Sequence, residues 1–285
     1  MRSIDQNVYI EDEFAGAALG VIATPRGLIQ IDAPPSPEDA RAWRASLMNV
    51  GGGIDRVLIN LDAHPDRTIG ARAMDCTVIA HEKTAQTFRS RPNTFKAQGD
   101  ETGSDWEAIP GLGSVRWAPP EISFGQQLVL HWDDSPVILE HHPGPASGAI
   151  WVILPAEKIV FVGDAVLKNQ PPFLAGAHIP RWIDAVNLLL SPAYKGYDVV
   201  SSRGGPVTAS VIKSQLEYLK YARERLEKLA ARKAHPDATE QLIEPLLKRL
   251  KFPAARNKQF AQRLRFGLHA HYARRYHAAT RSDED

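Results

Sequence analysis

The sequence predicts a mixed α/β fold with a helical extension at its C-terminal end, and three observations carry that prediction. Short apolar segments of strand character alternate with helical segments over most of the chain. The 285 residues, 44% of them hydrophobic, can bury one large α/β domain or a domain plus an appendage. Beyond Thr208 the pattern turns almost wholly helical. Residues 1–232 are expected to form the α/β domain, and 233–285 a helical extension packed on the core or on a partner subunit.

The elements follow in order. Strands are expected at 8–10, 17–23 and 28–32, the last two joined by a Pro25-Arg26-Gly27 turn and ended by Pro34-Pro35. Ser36 is a good N-cap, with Pro37 at the first helical position and Glu38 and Asp39 in an acidic first turn. That helix runs to about Met48, and Gly51-Gly52-Gly53 stops it; the triplet lacks the Lys-Ser/Thr of a phosphate loop. A strand at 57–60 leads into a loop, then come a helix at 68–74, a strand around Cys76 and a helix at 82–88. Residues 91–112 are polar and irregular, a surface connection or a mobile segment beside a site. Strands resume at 121–124, 127–132, 136–140, 149–153 and 158–162, followed by a helix at 179–190 and a strand at 198–200. Arg203-Gly204-Gly205-Pro206 then opens a long helix striped by Ile212, Leu216, Leu219, Leu226 and Leu229. A second stripe, Phe260, Leu264, Leu268, Tyr272 and Tyr276, must be buried on the core or against another copy, which would make a homo-oligomer through the C-terminal helices.

Composition excludes some classes. A net charge of +1 argues against a general polyanion-binding role, although the basic residues between Lys248 and Arg281 have no acid among them. That run reads first as a solvated helical face and only second as a nucleic-acid contact. The single Cys76 forms no internal disulfide and reads as a buried thiol. No apolar run is long enough to span a bilayer and the first residues lack a signal-peptide core, so a soluble, cytoplasmic protein without membrane partners is expected.

The chemistry is concentrated in Asn60-Leu61-Asp62-Ala63-His64-Pro65-Asp66-Arg67. Alternate residues of an extended segment point the same way, so Asp62, His64 and Asp66 can face one spot. No Gly-x-Ser-x-Gly or Cys/His pairing offers a covalent nucleophile.

In the order of its motifs the chain resembles the metallo-β-lactamase superfamily over roughly residues 7–232. The motifs are Gly-x-x-x-Ile-Asp ending at Asp32, a helix, the 62–67 loop running to Thr68-Ile69-Gly70, the 143–148 Pro-Gly loop, Leu-Pro-x-x-Lys with Val-Phe-x-Gly-Asp at 154–164, and Gly-x-Pro at 204–206. The resemblance implies a four-layer αβ/βα sandwich with its site at one edge of two sheets. It also implies a ligand loop His-x-His-x-Asp-His, where this chain has Asp62 and Arg67 in place of the first and last histidines. Pro145 and Gly204 stand where two further histidines belong, while His64, Asp66 and the bridging carboxylate, Asp164, are kept. The mono-zinc subclass, with Asn-x-His-x-Asp-Arg, shares Arg67 but keeps the later histidines.

Two readings of this set stay open. Asp62, His64, Asp66 and Asp164 could hold one divalent ion, Zn²⁺ or a harder Mn²⁺ or Mg²⁺, that activates water with Asp66 and Arg67 as catalytic groups. Such a hydrolase would act on an unknown small ester, thioester, lactone or amide. Alternatively, Arg67, with Arg203 beside the lost histidine, neutralises the carboxylates without a metal, and the fold serves binding or assembly. His141 and His142 read as a strand-end surface pair, one of which could lean into the cavity. His178 is a minor candidate at the site mouth, and His269, His271 and His277 read as surface residues.

Overall fold

The computed structural model describes residues 1–96 and 102–277. Its strands sort their side chains between two cores by simple alternation. In β10 (Ile150–Leu154), Ile150, Val152 and Leu154 face one core while Trp151 and Ile153 face another. In β4 (Gly27–Ile31), Ile29 and Ile31 join the first of these cores and Leu28 turns to a third. Sheets covered on both faces read as continuous apolar runs, which is why both strands are wholly buried.

The N-terminal sheet takes its strands in chain order: β1 (Arg2–Asp5), β2 (Val8–Glu11), β3 (Leu19–Ala23), β4, β5 (Asp55–Ile59), β6 (Thr77–His81) and β7 (Ile122–Phe124). It is antiparallel as far as β4 and parallel from there to β7. The second sheet has the order β13 (Gly205–Val207), β12 (Asp198–Ser201), β11 (Ile159–Gly163), β10, β9 (Val137–His141), β8 (Gln127–Leu130), with only β11 and β12 parallel. Residues such as Ile10, Ile29 and Ile59 meet Leu139, Val152 and Phe161 between the sheets. Gly20 lets them close: a Cβ there would lie 2.5 Å from the Phe161 ring.

Helix α1 (Pro37–Ser46) covers the outer face of the first sheet through Ala40 and Trp43. Its start is as expected, Ser36 accepting from the Asp39 amide at 3.1 Å. Helix α2 (Glu82–Ser90) follows β6 directly, and His81 caps it. The second sheet is covered by α3 (Ile179–Leu189), α4 (Ala209–Ala231), α5 (Ile243–Leu247) and α6 (Asn257–Tyr272), which share one core with Trp151, Val160 and Val199. The layers are therefore helix, sheet, sheet, helix. Phe260, Leu264, Leu268 and Tyr272, the second predicted stripe, are buried within this chain. Strands β1 and β13 and the 3₁₀ form of residues 69–74 are additions to the sequence reading. No helix among the described residues is long and apolar enough to cross a membrane.

Candidate functional site

At the end of β5 the chain turns by side-chain capping. The Asp62 carboxylate accepts from the His64 amide at 2.8 Å, and His64 caps a 3₁₀ turn, Pro65–Arg67, with Pro65 at its first position. The turn breaks the extended alternation on which the sequence reading relied. Asp62 and His64 reach the edge of a cavity, while Asp66 and Arg67 swing beneath it and are fully buried.

Two guanidiniums organise the carboxylates. Arg67 donates from Nη2 to Asp62 at 2.6 Å and from Nη1 to Asp164 Oδ1 at 2.7 Å. Its Nε lies 3.1 Å from Asp32 Oδ2, an ion pair whose N–H direction misses hydrogen-bond geometry. Arg203, on the turn between β12 and β13, donates from Nε to the same Asp164 Oδ1 at 3.0 Å and from Nη1 to Asp66 at 2.9 Å and Asp105 at 3.2 Å. Its Nη2 lies 3.0 Å from His64 Nδ1. One oxygen of Asp164 thus bridges two cations. Asp66 is completed by the Trp106 amide at 2.7 Å. Asp32, left-handed at φ 59°, accepts from the Leu61 amide at 3.0 Å and the Ser202 hydroxyl at 3.1 Å.

Three contributors, Asp105, Arg256 and Arg263, are not among the site residues that the sequence singles out. Asp105 opens a 3₁₀ turn (Asp105–Ala108) in the stretch expected to be irregular, part of which, residues 97–101, lies outside the described residues. Arg263 on α6 reaches Asp105 at 3.2 Å, Gly103 O at 2.9 Å and Gln170 at 2.9 Å, and Arg256 also bonds Asp105. Residues on this extension read from sequence as a solvated basic face; Arg263 is instead buried. Arg203 and Arg263 both lie over the Phe173 ring, at 4.4 and 4.0 Å.

The electrostatics follow from this packing. Burial opposes charge on Asp164, yet Arg203 and Arg67 hold its carboxyl well below the usual range. Asp105 is likewise depressed against its burial by Arg203, Arg263 and Arg256. Burial dominates at Asp66, whose pKa is raised, and at Asp32, which burial pushes up to about 7 despite Arg67. His64 is pushed well below its ordinary value by burial and then by Arg203. Its ring is therefore neutral, and the 3.5 Å approach of Nδ1 to Asp66 is a contact and not an ion pair. A neutral ring accepting at Nδ1 carries its proton on Nε2.

This donor set does not fit a divalent ion. Asp62, Asp66 and Asp164 spend oxygens on guanidiniums, and His64 Nδ1 faces Arg203, so an ion would have to displace an arginine. Among the described residues no group of three or more His, Cys, Asp or Glu could hold a metal. Pro145 lines the cavity, whereas Gly204 is exposed with φ 116°.

Above the cluster lies a cavity of about 510 Å³, walled by Trp106, Phe173, Leu174, Trp182 and Phe266, with the buried Asp62 and Asp164 and the partly buried His64 lining its floor. Neither His141 nor His142 enters it: His141 stacks on His81 at 3.7 Å and His142 on Trp151 at 3.8 Å. His178 caps α3. His269 is exposed as expected, but His271 is buried, and burial pushes its pKa down to about 4, correcting the surface assignment. The His277 side chain lies outside the described residues. Cys76 is half-buried, its thiol pushed up to about 11 by burial.

Comparison with known proteins agrees with this architecture. Residues 63–256 match the model of the metallo-beta-lactamase superfamily. No curated protein matches the sequence. Among solved structures, a metallo-beta-lactamase from Pontibacter korlensis superposes with a TM-score of 0.61 at 19% identity, covering 77% of this chain and 97% of that one. The DIM-1 metallo-beta-lactamase gives 0.58 at 16%, covering 78% and 96%. The stereoselective inverting sec-alkylsulfatase Pisa1 from Pseudomonas sp. gives 0.64 at 16%; it covers 99% of this chain, which spans about half (51%) of the sulfatase.

Proposed function

The chain belongs to the metallo-beta-lactamase superfamily, and from that membership we propose that it is a metal-independent binding protein, with two guanidiniums in place of catalytic ions and a small-molecule pocket above them. The observation that carries this reading is Asp164 Oδ1, the oxygen expected to bridge ions, which bridges Arg67 and Arg203 instead. The hydrolase alternative needs an ion-activated water or a free base. The carboxylates at the floor are tied to arginines, and a histidine held far below its usual pKa takes up no proton near neutral pH. A cytoplasmic setting belongs to the same reading, supported by the lone thiol of Cys76.

Elemental analysis of protein purified without chelator tests it. The expected result is no stoichiometric zinc, manganese or magnesium, before or after incubation with each salt. One bound equivalent that disappears in His64→Ala, together with ester, thioester, lactone or amide hydrolysis that chelator abolishes, would overturn the proposal.

A further inference from the structure

Helix α2 and the residue that caps its end place Lys83, Thr87 and Arg91 at four-residue spacing, on one face and about 12 Å from end to end at 1.5 Å per residue. Thr87 and Arg91 line the cavity above the arginine cluster. Lys83 lines a second cavity of about 550 Å³, and the two share Ala146, Ser147, Gly176 and Arg274 as walls. They are therefore neighbouring compartments along one helix face.

The compartments differ in chemistry. The inner one is largely aromatic and aliphatic. Among the described residues, its one lining cation without a side-chain hydrogen bond to the cluster or to a backbone carbonyl is Arg91, which feels the charge of Asp62, lies over Trp117 at 4.7 Å and has an Nη1 without a hydrogen-bond partner. A buried donor left in this state favours an acceptor brought by a ligand. The outer compartment is lined by Lys83, His178, Arg181, Arg274 and Arg275, with no acidic residue in its wall among the described residues. Arg274 donates to Ala177 O at 2.9 Å, which leaves the rest of its fork for another acceptor. The concentration of positive charge is felt by His178, whose pKa is lowered by burial and then by Arg275, Arg181 and Arg274.

We infer that the two compartments form one groove for a phosphate-bearing amphiphile, its apolar body against Trp106, Phe173, Leu174 and Phe266 and its phosphate on Lys83, Arg181, Arg274 and Arg275. Several arginines converging without carboxylates suit a tetrahedral dianion, which can take forked hydrogen bonds from more than one of them. The inner cation, Arg91, offers a further donor to a body that carries an acceptor, but the apolar walls and the outer phosphate site do not depend on it. The inference rests on the metal-independent reading, because an ion at the cavity floor would itself capture the phosphate.

Calorimetric titration of the full chain in EDTA, with metal content measured on the same sample, tests it using octyl phosphate, octanol and inorganic phosphate, the two amphiphiles as monomers. Octyl phosphate is expected to bind at least about tenfold more tightly than either half alone. Arg181→Glu with Arg275→Glu, both exposed positions, is expected to lower that affinity about tenfold or more, and to leave octanol binding unchanged. Ala146→Trp, which fills the shared wall, is expected to weaken both amphiphiles. Octyl phosphate binding no more tightly than octanol, or binding indifferent to charge reversal, would overturn the inference, as would capture by phosphatidic acid vesicles without binding of the monomer. Absence of binding in metal-free protein removes this inference alone. Binding that requires added zinc removes the metal-independent reading with it.

Discussion

Arg67 is the residue on which the buried cluster most depends, since Asp32, Asp62 and Asp164 all lie within 3.1 Å of its guanidinium nitrogens. Removing one partner of a buried ion pair leaves the other charge without solvent or counterion, at about 3–5 kcal/mol. Arg67→Met should cost at least that much in chemical denaturation. Arg67→Lys should cost less, because an ammonium keeps the charge but not the fork. Asp32 offers a second test. Five carboxylates (Asp32, Asp62, Asp66, Asp105, Asp164) meet four guanidiniums (Arg67, Arg203, Arg256, Arg263), so one proton balances the cluster. Asp32, pushed up to about 7 by burial, is the natural holder of that proton. The folded chain then keeps a proton that the unfolded chain releases near pH 4, so this contribution to stability is full below about pH 4 and is lost as pH rises towards 7. The loss is at most about 4 kcal/mol, from 1.4 kcal/mol per pKa unit. Asp32→Asn removes it and tolerates the left-handed backbone. The stability of the variant relative to the parent should therefore rise between pH 4 and 7; a constant difference across that range would sink the assignment.

At the scale of elements, what the sequence could and could not reveal divides by periodicity. Long alternating or helical patterns, such as β10, α1 and α4, are legible because one buried face repeats. Strands β1 and β13 are too short to establish a period, and in the 69–74 segment, which winds as 3₁₀, Gly70 packs so tightly that a Cβ there would lie 2.3 Å from the Pro34 carbonyl oxygen, a tertiary contact that no local pattern announces. The 62–67 loop, Asp164 and Arg203 were legible through motif order, since local spacing places them. Asp105 and Arg263 were not: they meet across 158 residues of chain, and nothing local marks either as part of the site. Their meeting depends on Gly103. With φ 72°, a Cβ there would stand 2.5 Å from the Arg263 backbone nitrogen and 2.6 Å from the Gln259 carbonyl. Gly103→Ala should therefore push α6 away from the cluster. It should lose about 1–3 kcal/mol from overpacking, plus a left-handed backbone penalty of about 1–2 kcal/mol. Amide exchange should rise across α6 more than across α1, which lies on the far sheet.

For the whole molecule, the cluster decides whether stability is linked to metal. Anything that binds only the folded state stabilises it by RT ln(1 + [L]/Kd), about 2.7 kcal/mol at one hundred times Kd. With guanidiniums already on the carboxylates, the parent chain offers an ion no equivalent gain, so its unfolding midpoint should be the same in excess zinc, excess manganese and EDTA. Arg203→Ala changes that balance. It frees His64 and one oxygen of Asp66 and leaves Asp164 Oδ1 with Arg67 alone, while Asp105 keeps Arg256 and Arg263 and Arg67 still holds Asp62. The variant should be several kcal/mol less stable in EDTA, by the same unpaired-charge argument. Two carboxylates and an imidazole then face a vacated space, a donor set suited to zinc or manganese. Added ion should restore part of the lost stability in Arg203→Ala and none in the parent. Arg263→Ala, which leaves Arg203 in place, should be destabilised without ion rescue. Equal midpoints for Arg203→Ala with and without ion, in a variant whose circular dichroism remains native, would mean that the guanidinium does not stand where an ion can bind. A zinc-dependent rise in the parent itself would mean that the arginines yield to metal, and that the binding site is a centre of the kind its motif order resembles.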